Sequence, residues 1–262
     1  VGCVITHNRI VLASGSPVSG SIIQAAIGAT DFQITDNTIL GQRGGVGILV
    51  YQQGGVSPSY GRIARNILDG LSYVATGPYA MIKVFEGANN ITVESNELYR
   101  GATGAASASN GIHIIAATNV VRNNTIHVGP VHGAIEWVPG GGPLDILDNV
   151  IETDSRATNM LDTTTNSGQI VWIRRNKFIG ATIGINVNGA TEANSPVYME
   201  NNAFENVVTN PVLGTRWDRA FTVAGAGKFP HYAGVRTYIL SDQEPGTAWQ
   251  TGGGSFAVGD QF

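Results

Sequence analysis

Ile63-Ala-Arg-Asn-Ile-Leu68 sets an apolar residue three places before Asn66 and another two places after it. The same frame recurs upstream in Ile34-Thr-Asp-Asn-Thr-Ile39 and downstream in Val93-Glu-Ser-Asn-Glu-Leu98. Followed outward, the beat falls on Asn8, Asn37, Asn66, Asn96, Asn124, Asn149, Asn176 and Asn202, at spacings of 29, 29, 30, 28, 25, 27 and 26 residues. Three places earlier stand Ile5, Ile34, Ile63, Val93, Val121, Ile146, Ile173 and Met199; two places later stand Ile10, Ile39, Leu68, Leu98, Ile126, Ile151, Phe178 and Phe204. All sixteen are apolar in a chain that is 42% hydrophobic, an outcome chance would give about one time in a million. The residue just before each Asn is polar throughout: His7, Asp36, Arg65, Ser95, Asn123, Asp148, Arg175 and Asn201.

A strand that turns a corner explains the frame. The residue at Asn−3 points inward, the next two are expected on the wet side, and the chain bends at the Asn. Asparagine tolerates left-handed backbone and hydrogen-bonds through its amide, so stacked rungs roughly 4.8 Å apart are expected to carry an amide ladder. Between the beats lies another strand in each period, in Ile22-Ile-Gln, Gly47-Ile-Leu-Val-Tyr, Ala80-Met-Ile-Lys-Val-Phe, Gly111-Ile-His-Ile, Gly133-Ala-Ile-Glu-Trp, Asn159-Met-Leu-Asp and Gly184-Ile-Asn-Val-Asn. Parallel strands at so short a period, with no helical crossover, leave a β-helix; a sandwich would alternate without a fixed beat. The predicted fold is therefore all-β, a parallel β-helix of about eight rungs over 1–215.

After Leu213 the beat stops, and 216–262 is richer in aromatics, with Trp217, Phe221, Phe229, Tyr232, Tyr238, Trp249 and Phe256. This stretch is expected to be a β-rich cap or the start of a following segment, since the last rung of a repeat stack needs protection. The chain opens on Val1-Gly-Cys-Val-Ile5, without an initiator Met, and closes on strand-like residues. It reads as a fragment of a longer polypeptide.

Composition narrows the function. Charged residues make up 13% of the chain, Gly numbers 35 and the net charge is -4. A continuous core with many tight turns fits these values; a disordered chain or a helical bundle does not. No basic stripe for nucleic acid and no apolar run of membrane-spanning length occurs in the sequence. Cys3 is the single cysteine, expected to be a small buried hydrophobe. His7, His127 and His231 have no partners at ligand spacing, no zinc or calcium set is evident, and no nucleotide fingerprint occurs, so neither metal nor cofactor is expected.

Chemistry is expected on the strands between the beats. With Ile48, Ile82, Ile112, Ile135, Leu161 and Ile185 inside, the next residues, Leu49, Lys83, His113, Glu136, Asp162 and Asn186, fall in one outward column facing solvent. Lys83, His113, Glu136 and Asp162 then form an ionisable stripe with one member per rung. Adjacent carboxylates push one pKa up, so Glu136 and Asp162 are an acid–base pair, with His113 as a second proton carrier. Their separation would decide between retaining and inverting hydrolysis. Lys83 and Asn186 are candidates to hold substrate. Tyr51 and Trp137 are candidates to stack on sugar rings, although the strand register sends Trp137 inward and Trp172 is read as core or rim. A solvated charge ladder is the bland alternative for the whole stripe.

The Asn beat from Val4 to Leu213 resembles the right-handed parallel β-helix repeat of the pectate-lyase-like superfamily. Within it, Gly133-Ala-Ile-Glu-Trp137 and the loop-rich rungs are most similar to phage tailspike depolymerases and related bacterial polysaccharide enzymes. The catalytic motifs of polygalacturonases, alginate epimerases and pectate lyases are missing, and Arg174-Arg175 is no substitute, so no catalytic residue carries over. The resemblance implies an extracellular or virion-borne domain that grips and cleaves surface polysaccharide, with a homotrimer as the implied assembly. A polysaccharide lyase using His113 or Lys83 as base is the second enzymatic alternative. A non-catalytic receptor-binding or structural β-helix of a phage tail or adhesin is the third.

Overall fold

The computed structural model describes residues 2–12, 20–43, 45–71, 79–85, 87–99, 109–115, 119–128, 133–137, 143–153, 159–163, 171–180, 183–186, 197–207 and 210–213. Its strands form three parallel sheets of eight strands each. The first sheet runs from Val4–Thr6 to Val197–Glu200, the second from Arg9–Val11 to Ala203–Glu205, and the third from Ser21–Ala26 to Asn210–Leu213. Each rung thus contributes one strand to each sheet. The strand expected to turn at the Asn is two strands, one on either side of it. The aromatic stretch 216–262 lies outside the described residues.

Rungs stack residue on equivalent residue: Ile34 on Ile63, Ile63 on Val93, Val93 on Val121. Fourteen of the sixteen apolar frame positions are buried in one continuous core; Ile5 and Ile10, on the first rung, pack against it only partly buried. Burial of this kind is worth about 1.5–3 kcal/mol per large aliphatic side chain.

The amide ladder is complete from Asn8 to Asn202. Each Asn Nδ2 donates to Oδ1 of the next at 2.9–3.0 Å, and each backbone N–H to the same oxygen at 3.0–3.1 Å. From Asn37 onward the second amide hydrogen goes to the carbonyl of the Asn−3 residue one rung earlier, as from Asn124 to Val93. Every hydrogen-bonding atom of an internal Asn side chain is therefore used, which is what permits burial of so polar a group.

Three expectations need correction. The left-handed residue is the polar one before each Asn, not the Asn itself: His7, Asp36, Arg65, Ser95, Asn123, Asp148, Arg175 and Asn201 all have φ between 52° and 59°. The bend must precede the Asn because its amide has to point along the stack. The position at Asn−2 is not uniformly wet either, since Thr35, Ala64 and Glu94 are buried. Glu94 is covered by two guanidiniums, with Arg62 Nε 2.5 Å from Oε1 and Arg122 Nη2 2.6 Å from Oε2. Cys3 is exposed rather than buried, on the outermost described rung.

Candidate active site on the third sheet

Register places the stripe as the sequence reading set it. Gln24 pairs with Leu49, Leu49 with Lys83, Lys83 with His113, His113 with Glu136, Glu136 with Asp162 and Asp162 with Asn186. The column is continuous because each strand offers the same parity. Ile48 and Val50 flank Leu49, Ile82 and Val84 flank Lys83, Ile112 and Ile114 flank His113, and Ile135 and Trp137 flank Glu136; all eight flanking side chains lie in the core. The ionisable groups therefore leave the sheet on its other face.

They do not face open solvent as expected. Relative exposure is 8% for Lys83, 4% for His113 and 8% for Glu136. Alternation fixes which side of a sheet a residue leaves from, but not what lies above it. His113 Nε2 is 3.9 Å from Glu136 Oε2. Burial pulls the Lys83 ammonium below its usual pKa, and the negative field of Glu136 opposes that shift. Three titratable groups of mixed sign thus sit on consecutive rungs with little water, where charge–charge coupling is strong. The backbone of Asp162 is paired beside Glu136, but its side chain lies outside the described residues. Asn186, next in the column, is half-buried.

Of the two candidate aromatic contacts, the structure keeps one at the surface. Trp137 is 1% exposed and belongs to the core, on the same parity as Ile135, so it is not a sugar contact. Tyr51 is half-buried, and its hydroxyl accepts from Gln24 Nε2 at 2.9 Å and donates to Gln53 Oε1 at 3.0 Å. Phe85, which sequence reasoning missed, is 37% exposed, and the Lys83 ammonium lies 4.8 Å from its ring centroid.

Two further clusters lie on the other sheets. Counting three residues past each Asn gives Tyr99, His127 and Glu152, and these meet on the second sheet. Tyr99 stacks on His127 at 5.2 Å, and His127 Nδ1 is 3.0 Å from Glu152 Oε2. The hydrogen bond from Tyr99 to Glu97, reinforced by burial, holds the phenol above its ordinary pKa. His127 therefore has a carboxylate partner, Glu152, on the adjacent rung. On the first sheet Trp172 stacks on Tyr198 at 4.4 Å, and the Arg174 guanidinium lies over Trp172 while binding Asp145 at 3.0 Å. Arg175 pairs with Asp148. Among the described residues no group of three or more His, Cys, Asp or Glu is placed to hold a metal ion.

No family model matches the sequence, and no curated protein matches it. Solved structures do align. A PL6 alginate lyase in complex with a trisaccharide is 10% identical with a TM-score of 0.38, over 83% of this chain and 53% of the lyase. ORF18 of Geobacillus virus E2 is 15% identical with a TM-score of 0.33, over 86% of this chain and 52% of the viral protein. The A-module of the mannuronan C-5 epimerase AlgE4 of Azotobacter vinelandii is 12% identical with a TM-score of 0.23, over 83% and 81%. The chain spans about half the length of the first two. None of these likenesses bears on the chemistry of the column.

Proposed function

We propose that this is a polysaccharide-binding and polysaccharide-degrading solenoid whose chemistry sits on the outer face of the third sheet. The observation that carries the proposal is the buried Lys83–His113–Glu136 run, with Asp162 registered on the next rung. Withdrawing charged groups from water is costly. Such groups concentrate where a charged ligand is held or a proton is moved. In the hydrolytic reading one of Glu136 and Asp162 protonates the glycosidic oxygen while the other, ionised, acts as nucleophile or activates water. His113, next to Glu136, resets its proton. Asn186, next to Asp162, and Lys83, one rung beyond His113, orient the sugar, and Tyr51 contacts it further along the face. The reading is of a secreted or phage-borne domain, with a homotrimer as its assembly.

The test is incubation of the protein with a panel of bacterial capsules and acidic polysaccharides, followed by mass spectrometry of the products. Discrete oligosaccharides that disappear in Glu136→Gln and Asp162→Asn, with circular dichroism unchanged, support the assignment. Normal cleavage by both variants refutes it. A second reading is elimination with His113 or Lys83 as base, both buried on adjacent rungs of the same column; an unsaturated product absorbing in the near ultraviolet would identify it. Glycan binding with no product from any polysaccharide would leave a receptor-binding solenoid.

A further inference from the structure

Beside the ionisable column, two residues further along each strand, runs a second outward column. It is formed by Ala26, Tyr51, Phe85 and Ile115: Ala26 pairs with Tyr51, and the N–H groups of Phe85 and Ile115 bond the Val50 and Val84 carbonyls one rung back. On its last two rungs it contrasts in access with the column alongside, whereas Leu49 beside Tyr51 is half-buried and Gln24 beside Ala26 is exposed. Tyr51 and Ile115 are half-buried and Phe85 is 37% exposed, whereas Lys83 and His113 alongside are buried. The Tyr51 ring is also held in place, because Gln24 and Gln53 fix its hydroxyl from both sides and Ser21 Oγ in turn donates to Gln24 Oε1. A ring fixed before binding loses little entropy when a ligand lands on it.

We propose that Tyr51 and Phe85 form a two-ring binding platform for an acidic glycan whose chain runs along the solenoid axis and enters the Lys83–Glu136 centre from this end. The proposal rests on the polysaccharide reading of that centre and adds the direction of the chain and the residues that set its minimum length. Pyranose rings offer one apolar C–H face and an equatorial polar rim. Two aromatic rings on consecutive rungs, with buried Lys83 alongside Phe85 and Gln24 bonded to the Tyr51 hydroxyl, match those two surfaces. One rung separates Tyr51 from Phe85, about 4.8 Å at the backbone, and two more rungs separate Phe85 from Glu136 in stack order. A chain whose reacting bond sits at Glu136 therefore reaches Phe85, and beyond it Tyr51, only when it is several units long. The ammonium beside Phe85 supplies the cation for a carboxylate-bearing sugar.

The experiment is calorimetric binding of short and long oligouronates, prepared from alginate and from polygalacturonate, to the full chain carrying Glu136→Gln so that nothing is turned over. Phe85→Leu keeps the apolar volume but removes the ring. It should weaken the long oligouronates about tenfold, the size of one stacking contact, and leave the shortest ones unchanged. Phe85→Trp should restore the affinity. Equal affinities of Phe85→Leu and its parent for long chains overturn the platform while leaving the polysaccharide reading intact. Loss of short and long chains alike also overturns it, because the ring would then act through Lys83 alone. A parent protein that binds no oligouronate and cleaves none of the capsule panel overturns both readings.

Discussion

Asn124→Ala tests the amide ladder at its centre. The wild-type side chain is fully buried and takes part in four hydrogen bonds. Its Nδ2 donates to the Val93 carbonyl at 3.0 Å and to Asn149 Oδ1 at 2.9 Å, and its Oδ1 accepts from both the N–H and the Nδ2 of Asn96 at 3.0 Å. Alanine strands two donors of Asn96 without water to replace the lost oxygen. At about 1–3 kcal/mol for each unsatisfied buried group, the loss is roughly 2–6 kcal/mol. That is a large share of the 5–15 kcal/mol typical of a domain. Urea unfolding followed by circular dichroism measures the total, and amide hydrogen exchange at Asn96 reads the orphaned N–H directly. Asn123→Gly, one residue away, exposed and left-handed, removes an asparagine without touching the ladder and should stay within about 0.5 kcal/mol. Asn124→Asp should be worse than alanine at neutral pH, because a carboxylate has no proton to donate to Val93 or Asn149. The reasoning is refuted if Asn124→Ala costs no more than Asn123→Gly and exchange at Asn96 is unchanged.

Acid should unfold the protein in part through its surface Asp–Arg pairs. The hydrogen bond from Arg65 holds Asp36 down at about 2, and Arg175 likewise lowers Asp148. At Glu94 burial alone would raise the pKa, and the bonds from Arg122 and Arg62 outweigh it. Carboxyls lowered on folding contribute stability above their ordinary pKa and lose it as pH falls through the folded value, here between about 4 and about 2. Urea midpoints should therefore drop across that window, and less so in Asp36→Asn combined with Asp148→Asn; an identical slope would rule the pairs out. Gly61→Ala puts a Cβ into the Phe32 ring, so a loss of about 1–3 kcal/mol is expected. Phe32→Leu should recover part of it, and strictly additive losses in the double variant would contradict the contact. Trp137→Phe should lower the melting temperature yet leave glycan affinity unchanged; a folded variant that no longer binds would return Trp137 to the site.

What the sequence made legible is what repeats. Each Asn with its two apolar flanks specifies a bend and two inward side chains, and eight such frames fix the register of a stack. Register then puts Lys83, His113, Glu136 and Asp162 in one column without any knowledge of loops. Burial of that column was not legible, because period-2 alternation says nothing of what lies over a sheet. The left-handed residue was misplaced by one, since the conformational tolerance of Asn suggested the Asn itself, whereas the amide is needed in the stack. Trp137 shows composition misleading where register did not: an aromatic beside Glu136 suggests a sugar contact, but its parity with Ile135 sends it inside. Tyr99, His127 and Glu152 were legible and overlooked, since counting three residues past each Asn lines them up.

Spacing along the chain varies between 25 and 30 residues from one Asn to the next, yet the block from Asn−3 to Asn+2 never changes length. The variation falls outside that block, in the sequence before and after each third-sheet strand and, between Leu40 and Arg43, in a bulge within a second-sheet strand. Insertions and deletions can therefore accumulate around the face that carries Lys83, His113 and Glu136 while the folding register stays anchored at the opposite corner. The sequence on either side of that face can diverge between descendants of one ancestor without a new way of folding, and two solenoids of this kind with the same backbone need share no ligand.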